Sequence, residues 1–307
     1  MFLNNPFSKA SLICKEAFYE VGGYTDGIIC QDGVDIWLKI IKKYKVKNIS
    51  EPLFYYRKHG KSLSDNSAKI FDNRIKIFKS HYINISTSIT PKNICVIFAR
   101  SEIYDNDEFL LKPFLNTNLL SICLNNAFSQ KIFHEIYLST DSEELSKYAI
   151  THFPDVCIHK RNSSQTAYFT SLYDSLIDFK QTVKCDNIIT LMPHYPFLNA
   201  KYLSYIVYYK TFFNVPEVIS TYEDASVSYL HDGNSLNPVS NSEIRNERDK
   251  IYLRRGVLNL YDYDLLSSGK KIKNNLLRGH INLDKLSSLE IDNINTLAYF
   301  NKSMNHV

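Results

Sequence analysis

Between Ile94 and Phe212, short apolar runs take turns with helical patterns, and this alternation limits the fold more than any other feature of the sequence. Ile94–Ala99, Glu135–Leu138, Val156–Ile158 and Asn187–Met192 read as strands. Thr117–Phe128, Ser142–His152, Ser164–Phe179 and Ala200–Phe212 read as helices, with Ser142 placed to cap the second. Strands separated by helices of this length are joined by crossovers, which connect parallel neighbours. The expectation is an α/β fold: a mostly parallel, Rossmann-like sheet with helices on both faces. Ligands in such sheets bind beyond the carboxyl ends of the strands. Functional residues are therefore expected in the loops after Ala99, Leu138 and Met192. The tail from about residue 226 turns β-like, with Ile251–Tyr261 as a long strand and a last helix around Ile294–Phe300.

A 307-residue chain that is 44% hydrophobic and 22% charged buries a sizeable core, which excludes a disordered chain or a small disulfide-held scaffold. The net charge of +4 is unevenly placed: residues 1–90 carry 14 basic against 8 acidic side chains, and the remainder 22 against 24. Neither segment is basic enough to demand nucleic acid. This charge step, with the Ser/Thr-rich run from Asn84 to Pro91, predicts a boundary near 85–91 that separates residues 1–88 from 92–307. The six cysteines are scattered beside apolar neighbours, as buried free thiols in a reducing cytoplasm would be. The N-terminus lacks the pattern of a signal peptide. No run approaches the roughly 20 apolar residues of a membrane span, so a cytoplasmic protein is expected. A homo-oligomer is compatible with all of this.

In the first segment Val34, Trp37, Leu38 and Ile41 fall on one helical stripe. An extended Lys45–Ile49, an aromatic strand Leu53–Tyr56 and a helix over Ala68–Tyr82 follow. Val21-Gly22-Gly23-Tyr24, then Gln31-Asp32-Gly33-Val34-Asp35-Ile36-Trp37, then Glu51-Pro52-Leu53-Phe54-Tyr55-Tyr56-Arg57 stand in order. Over residues 7–66 they resemble the closing part of a family 2 glycosyltransferase of the GT-A fold. The resemblance implies that Asp32 is the general base that deprotonates an acceptor hydroxyl. A carboxylate at a helix start has the reach for that role, and Asp32 or Asp35 fits equally well as a helix cap. Few residues precede the match, so the half that binds nucleotide and metal in that family is not expected here. This segment alone should not transfer sugar.

Five landmarks stand in order in the second segment: Val96-Ile97-Phe98-Ala99-Arg100; Leu111-Lys112-Pro113-Phe114-Leu115; Ile136 to Leu145 through Ser139-Thr140-Asp141-Ser142; Thr190 to Phe197 through Pro193-His194; and Ser288-Leu289-Glu290-Ile291-Asp292. Over residues 92–302 they resemble the acylneuraminate cytidylyltransferases. The resemblance implies a Rossmann-like nucleotidyltransferase domain that couples a nine-carbon keto sugar acid to CTP with Mg²⁺, in the synthesis of surface glycans. It implies Arg100 as a nucleotide-binding and catalytic residue and Glu290 with Asp292 as the metal pair, while Asp141 and His194, each placed after a strand, are further candidates to bind the nucleotide.

The chemistry of the loops departs from that pattern. Backbone N–H groups approach phosphate closely where side chains are small, and lysine adds point charge. The family loop reads Gly-Gly-Ser-Lys after its arginine; here Ser101-Glu102-Ile103-Tyr104 stands in its place, with Asp105, Asp107 and Glu108 beside it. No glycine occurs between Gly60 and Gly233. After the fourth strand, Met192 replaces a glutamine and the family's arginine is gone. Arg100 is open to a phosphate or to a structural salt bridge. His194 is a new functional group or a structural one. Glu290 and Asp292, two apart, share one side of an extended segment and suit Mg²⁺ when phosphates complete the shell, while Asp292 also fits as the cap of the last helix. The doublets Arg254-Arg255 and Lys270-Lys271 either clamp an acidic sugar or are solvated surface. Three readings result: a cytidylyltransferase with an altered loop and weak activity, a non-catalytic binding or scaffolding module, and a glycosyltransferase fragment that needs an upstream half.

Overall fold

The computed structural model describes residues 11–47, 49, 51, 67–85, 91–103, 106–107, 109–162, 170–224, 226–239, 251–267 and 278–304. The chain divides into two compact units, Met1–Ser88 and Ile89–Val307, and the division falls inside the Ser/Thr-rich run.

Unit 1 is helical where described: α1 (Lys15–Glu20), α2 (Asp32–Lys43) and α3 (Ser67–Ile85). The apolar face of α2 is Ile36, Trp37 and Ile40, packed on Ile13, Phe18, Val21 and Tyr44. The expected stripe was rotated from this. Val34 and Ile41 are only half-buried, because Asp35 turns inward and shifts the buried face towards itself. The expected strand Leu53–Tyr56 lies outside the described residues.

Unit 2 is built on a seven-stranded sheet: β1 (Asn93–Phe98), β2 (Glu135–Thr140), β3 (Cys157–Lys160), β4 (Asn187–Leu191), β5 (Glu217–Asp224), β6 (Ile251–Asp262) and β7 (Arg278–Leu283). Its helices are α4 (Leu119–Phe128), α5 (Glu143–His152), α6 (Leu172–Lys180), α7 (Lys201–Phe213), α8 (Tyr263–Ser267) and α9 (Ile294–Met304). The strand order is β3-β2-β1-β4-β6-β5-β7. β1 pairs parallel with β2 and β4, β2 with β3, and β5 with β7. Only β6 runs antiparallel to its neighbours. The sheet is mostly parallel, as the alternation of strands and helices requires.

All six residues of β1 are buried, as a central strand covered on both faces demands. Ile94, Val96 and Phe98 point to one face and meet Leu176 and Phe179 of α6 and Leu266 of α8. Cys95 and Ile97 alternate to the other face, where α4 packs. Fully burying each large aliphatic side chain stabilises the fold by about 1.5–3 kcal/mol. Helix starts follow their sequence signals: the Asn118, Ser142 and Ser171 side chains accept from the backbone N–H of Ser121, Leu145 and Asp174. At the sheet edge Gly279 is required for close approach, since a Cβ there would stand 2.8 Å from the Tyr209 ring of α7. Of the six free cysteines, Cys30, Cys95 and Cys123 are buried as expected, Cys157 and Cys185 are half-buried, and Cys14 is exposed. No helix among the described residues is long and apolar enough to cross a membrane.

Candidate functional site

β1, β2, β3 and β4 release their chains at the same end of the sheet, and the polar groups of unit 2 gather there. Arg100 follows β1 directly, is half-buried, and has no carboxylate within ion-pair distance among the described residues. Burial, with the Arg100 guanidinium adding to it, pushes His194, after β4, down to about 4. Burial lowers the guanidinium of Arg161, after β3, to about 10; Asp141 opposes that shift and Arg100 adds to it. Arg100, Asp141, Arg161 and His194 thus all lie at this end of the sheet, after β1, β2, β3 and β4.

Asp141, half-buried, already holds the start of the loop after β1. Its Oδ1 accepts from the backbone N–H of Ser101 and its Oδ2 from the Ser101 hydroxyl, both at 2.8 Å. The first two donors of the loop after β1 are thus already used, and by a carboxylate. Further along, Glu102–Ile103 pairs antiparallel with Asn106–Asp107. The loop is a short ribbon rather than an open cradle of amides. Tyr104, Asp105 and Glu108 lie outside the described residues.

Arg161 was not anticipated. It is 6% exposed, lies over the Phe98 ring at 5.5 Å, and donates from Nη2 to the Ala99 carbonyl at 2.6 Å. Its Nε, also buried, has no hydrogen-bond partner among the described residues. The sequence pattern ends the third strand at Ile158, two residues short of its end at Lys160, and so overlooks a basic residue placed after β3 much as Arg100 is after β1. Behind it, His159 Nδ1 meets the Ser139 hydroxyl at 2.9 Å and Nε2 lies 3.4 Å from Asp178. Ser139 is fully buried, so this trio anchors the ends of β2 and β3 and offers no accessible nucleophile.

The acidic pair lies beside the loop after β4. The Ile291 N–H donates to the His194 carbonyl at 2.8 Å, and fully buried Ile291 sets Glu290 and Asp292 on the opposite side. Asp292 is exposed, and its Oδ1 accepts from Asn293 at 2.7 Å and the Thr296 hydroxyl at 3.1 Å. The cap of α9 is instead Asn293, which accepts from the Thr296 N–H at 2.8 Å. Among the described residues no three His, Cys, Asp or Glu groups converge as a metal site. Two carboxylates are a partial shell, so the pair fits Mg²⁺ only alongside phosphate oxygens. Arg254 is tied to the Tyr261 hydroxyl at 3.0 Å and lies 3.6 Å from Glu217, so it is no free clamp, and Lys270-Lys271 lies outside the described residues.

In unit 1, Asp32 is the exposed first residue of α2, behind Gln31 in a left-handed conformation (φ 66°) that Arg74 holds through a 3.0 Å hydrogen bond. Asp35 points inward to Lys39 at 2.8 Å and the Thr25 hydroxyl at 2.6 Å. Of the two acids only Asp32 is placed to meet a solute.

No protein-family model matches the chain, and no curated protein does. Solved structures do. This is the nucleotidyltransferase fold. CMP:2-keto-3-deoxy-manno-octonic acid synthetase in complex with CTP superposes with a TM-score of 0.54 at 12% identity, covering 70% of this chain and 99% of that one. The 4-diphosphocytidyl-2C-methyl-D-erythritol synthase of Anaerococcus prevotii gives 0.52 at 12% identity over 73% and 99%. A second synthase of that name gives 0.51 at 13% over 71% and 100%. At these identities the likeness is one of fold, and unit 2, which has that fold, carries the residues described above.

The buried histidines make a pH prediction. Burial lowers His159, and lowers His194 and His280 to about 4. A histidine whose folded pKa lies below its unfolded value of about 6.5 contributes stability above that value and loses it as pH falls towards the folded pKa. Melting followed by circular dichroism should show a midpoint that drops from pH 7 to pH 5, and His159→Gln should flatten the slope. An unchanged midpoint over that range would refute neutral burial.

Proposed function

We propose that unit 2 binds a cytidine nucleotide at the end of the sheet where Arg100, Arg161 and His194 meet, and that it transfers the nucleotide weakly or not at all. The observation that carries this is the double hydrogen bond from Ser101 to Asp141, which takes up the amide and hydroxyl of Ser101 beside Arg100. Arg100 and Arg161 supply the positive charge that a phosphate needs. Asp141 adds a like charge within a few ångströms, which costs about 1 kcal/mol even at bulk-water dielectric. Mg²⁺ arriving with the nucleotide would be held by Glu290 and Asp292 and would screen phosphate charge. The sugar acid and a role in surface-glycan synthesis rest on the family resemblance over residues 92–302. The cytoplasmic setting is proposed from the scattered free cysteines.

The test is isothermal titration with CTP and Mg²⁺. Weak binding is expected, and Asp141→Asn, which keeps an acceptor for Ser101 and removes the charge, should tighten it by about five-fold. Arg161→Met, which keeps the packing on Phe98, should weaken it. Micromolar binding with robust turnover by the native chain would overturn the reading in favour of an active cytidylyltransferase. For unit 1 a glycosyltransferase origin remains our proposal, and the exposed Asp32 on its braced loop supports it.

A further inference from the structure

The last helix touches two segments far from it in sequence. Asn301 Oδ1 accepts from the Leu115 N–H at 2.7 Å, and Asn301 Nδ2 donates to the Pro113 carbonyl at 2.8 Å. Its neighbour Phe300 lies 6.4 Å from the Phe114 ring and 5.2 Å from Phe197, which packs edge-on to Phe114 at 5.9 Å. Pro113–Phe114 and Thr117–Asn118 form a short antiparallel hairpin that closes the loop after β1 and leads into α4. Phe197 belongs to the loop after β4, three residues beyond His194. The chain leading into α9 binds that loop again, through Ile291 to the His194 carbonyl and through the Ser287 hydroxyl, which accepts from the Asn199 N–H at 3.1 Å.

Leu115 shows what Asn301 contributes. It is the first of two residues linking the hairpin strands and has φ 52°, a conformation that favours glycine and disfavours leucine. Such a residue persists where its surroundings over-determine it. Asn301 does so by binding the Leu115 amide and the Pro113 carbonyl with one side chain.

We propose that Asn301 is a positioning residue: through the hairpin at 113–118, and with Phe300 against Phe197, it fixes the loops after β1 and β4 relative to each other. The proposal deepens the nucleotide-site reading and rests on it for its second readout only. In the full chain, Asn301→Ala should speed amide exchange at Leu115 by about ten-fold or more. It should also weaken CTP binding by about ten-fold. Leu115→Gly, which takes φ 52° without help, should restore CTP affinity in the Asn301→Ala background to within about three-fold of Leu115→Gly alone. A merely structural asparagine would not be rescued this way. Should Asn301→Ala lower the melting temperature too far, Asn301→Asp keeps the acceptor for Leu115 and loses only the donor to Pro113, and an intermediate exchange rate is expected. Native exchange at Leu115 in Asn301→Ala, or failure of Leu115→Gly to rescue, overturns the proposal. If the native chain binds no CTP while exchange at Leu115 still accelerates in Asn301→Ala, the nucleotide reading falls and the positioning role stands.

Discussion

With CTP, Mg²⁺ and a nine-carbon keto acid, the chain is expected to release pyrophosphate at least about 10²–10³-fold more slowly than a cytidylyltransferase with a Gly-Gly-Ser-Lys loop measured beside it. Nucleotidyl transfer depends on donors that are already aimed at the α-phosphate as charge develops there, and loss of one such donor commonly costs that factor. The loss here is more than a change of side chains. The Ser101 amide and hydroxyl are turned to Asp141, and Glu102–Ile103 pairs with Asn106–Asp107. Such deficits need not add, yet Arg100 and Arg161 supply attraction without the converging amides. Tyr104→Lys with Ile103→Ser restores two family groups and should give a measurable gain in CTP binding, larger when combined with Asp141→Asn. Robust turnover by the native chain would sink this account. No gain from the triple variant would show that the ribbon backbone, and not its side chains, closes the site.

Much of unit 2 was legible because its central strands are plain. β1, β2, β3 and β4 are apolar runs set apart by helices, and their crossovers leave only parallel pairing. β5 and β7 were not read as strands, for a physical reason. Glu217, Ser220 and Thr221 in β5 are buried polar residues, and Arg278, His280 and Asn282 interrupt β7. Glu217 Oε2 is paired with Arg278 at 2.5 Å, a contact between segments some sixty residues apart that no local pattern announces. The same limit applies to the site. Arg100 and His194 follow strong strands and can be singled out in the sequence, whereas Arg161 follows a four-residue strand and cannot. The two hydrogen bonds that Asp141 accepts from Ser101 join loops forty residues apart, and no local pattern announces them. Leu115 gave no signal, since a leucine at positive φ is visible only in the backbone.

In unit 1 the largest expected effect is at Asp35, whose replacement by alanine should destabilise the unit by about 3 kcal/mol. Asp35 is 1% exposed, and its partners are the Lys39 ammonium at 2.8 Å and the Thr25 hydroxyl at 2.6 Å. Removing one member of a buried pair leaves the other unpaired, at a cost of about 3–5 kcal/mol. The lower figure applies because Lys39 keeps some contact with water. The carboxyl also carries a pH signature. Burial alone would raise it, but bonds from His81, Lys39 and Thr25, with the charge of Lys39, hold it well below the usual carboxylate range. His81 Nε2 stands 3.7 Å away, beyond hydrogen-bond length, so Lys39 and Thr25 carry the larger share. A carboxyl whose folded pKa is depressed contributes stability above its unfolded value of about 3.9, and loses it as pH falls below that value. Trp37 is the only tryptophan of the chain and lies two residues away on α2, so its fluorescence reports on this unit alone. Thermal melts followed at Trp37 should show native unit 1 losing stability below about pH 4, with Asp35→Ala starting lower and changing little over the same range. A variant that melts like the parent at pH 7 would mean that the pair contributes nothing net. A parent curve that is flat in acid would mean that the carboxyl is not held down in the folded state.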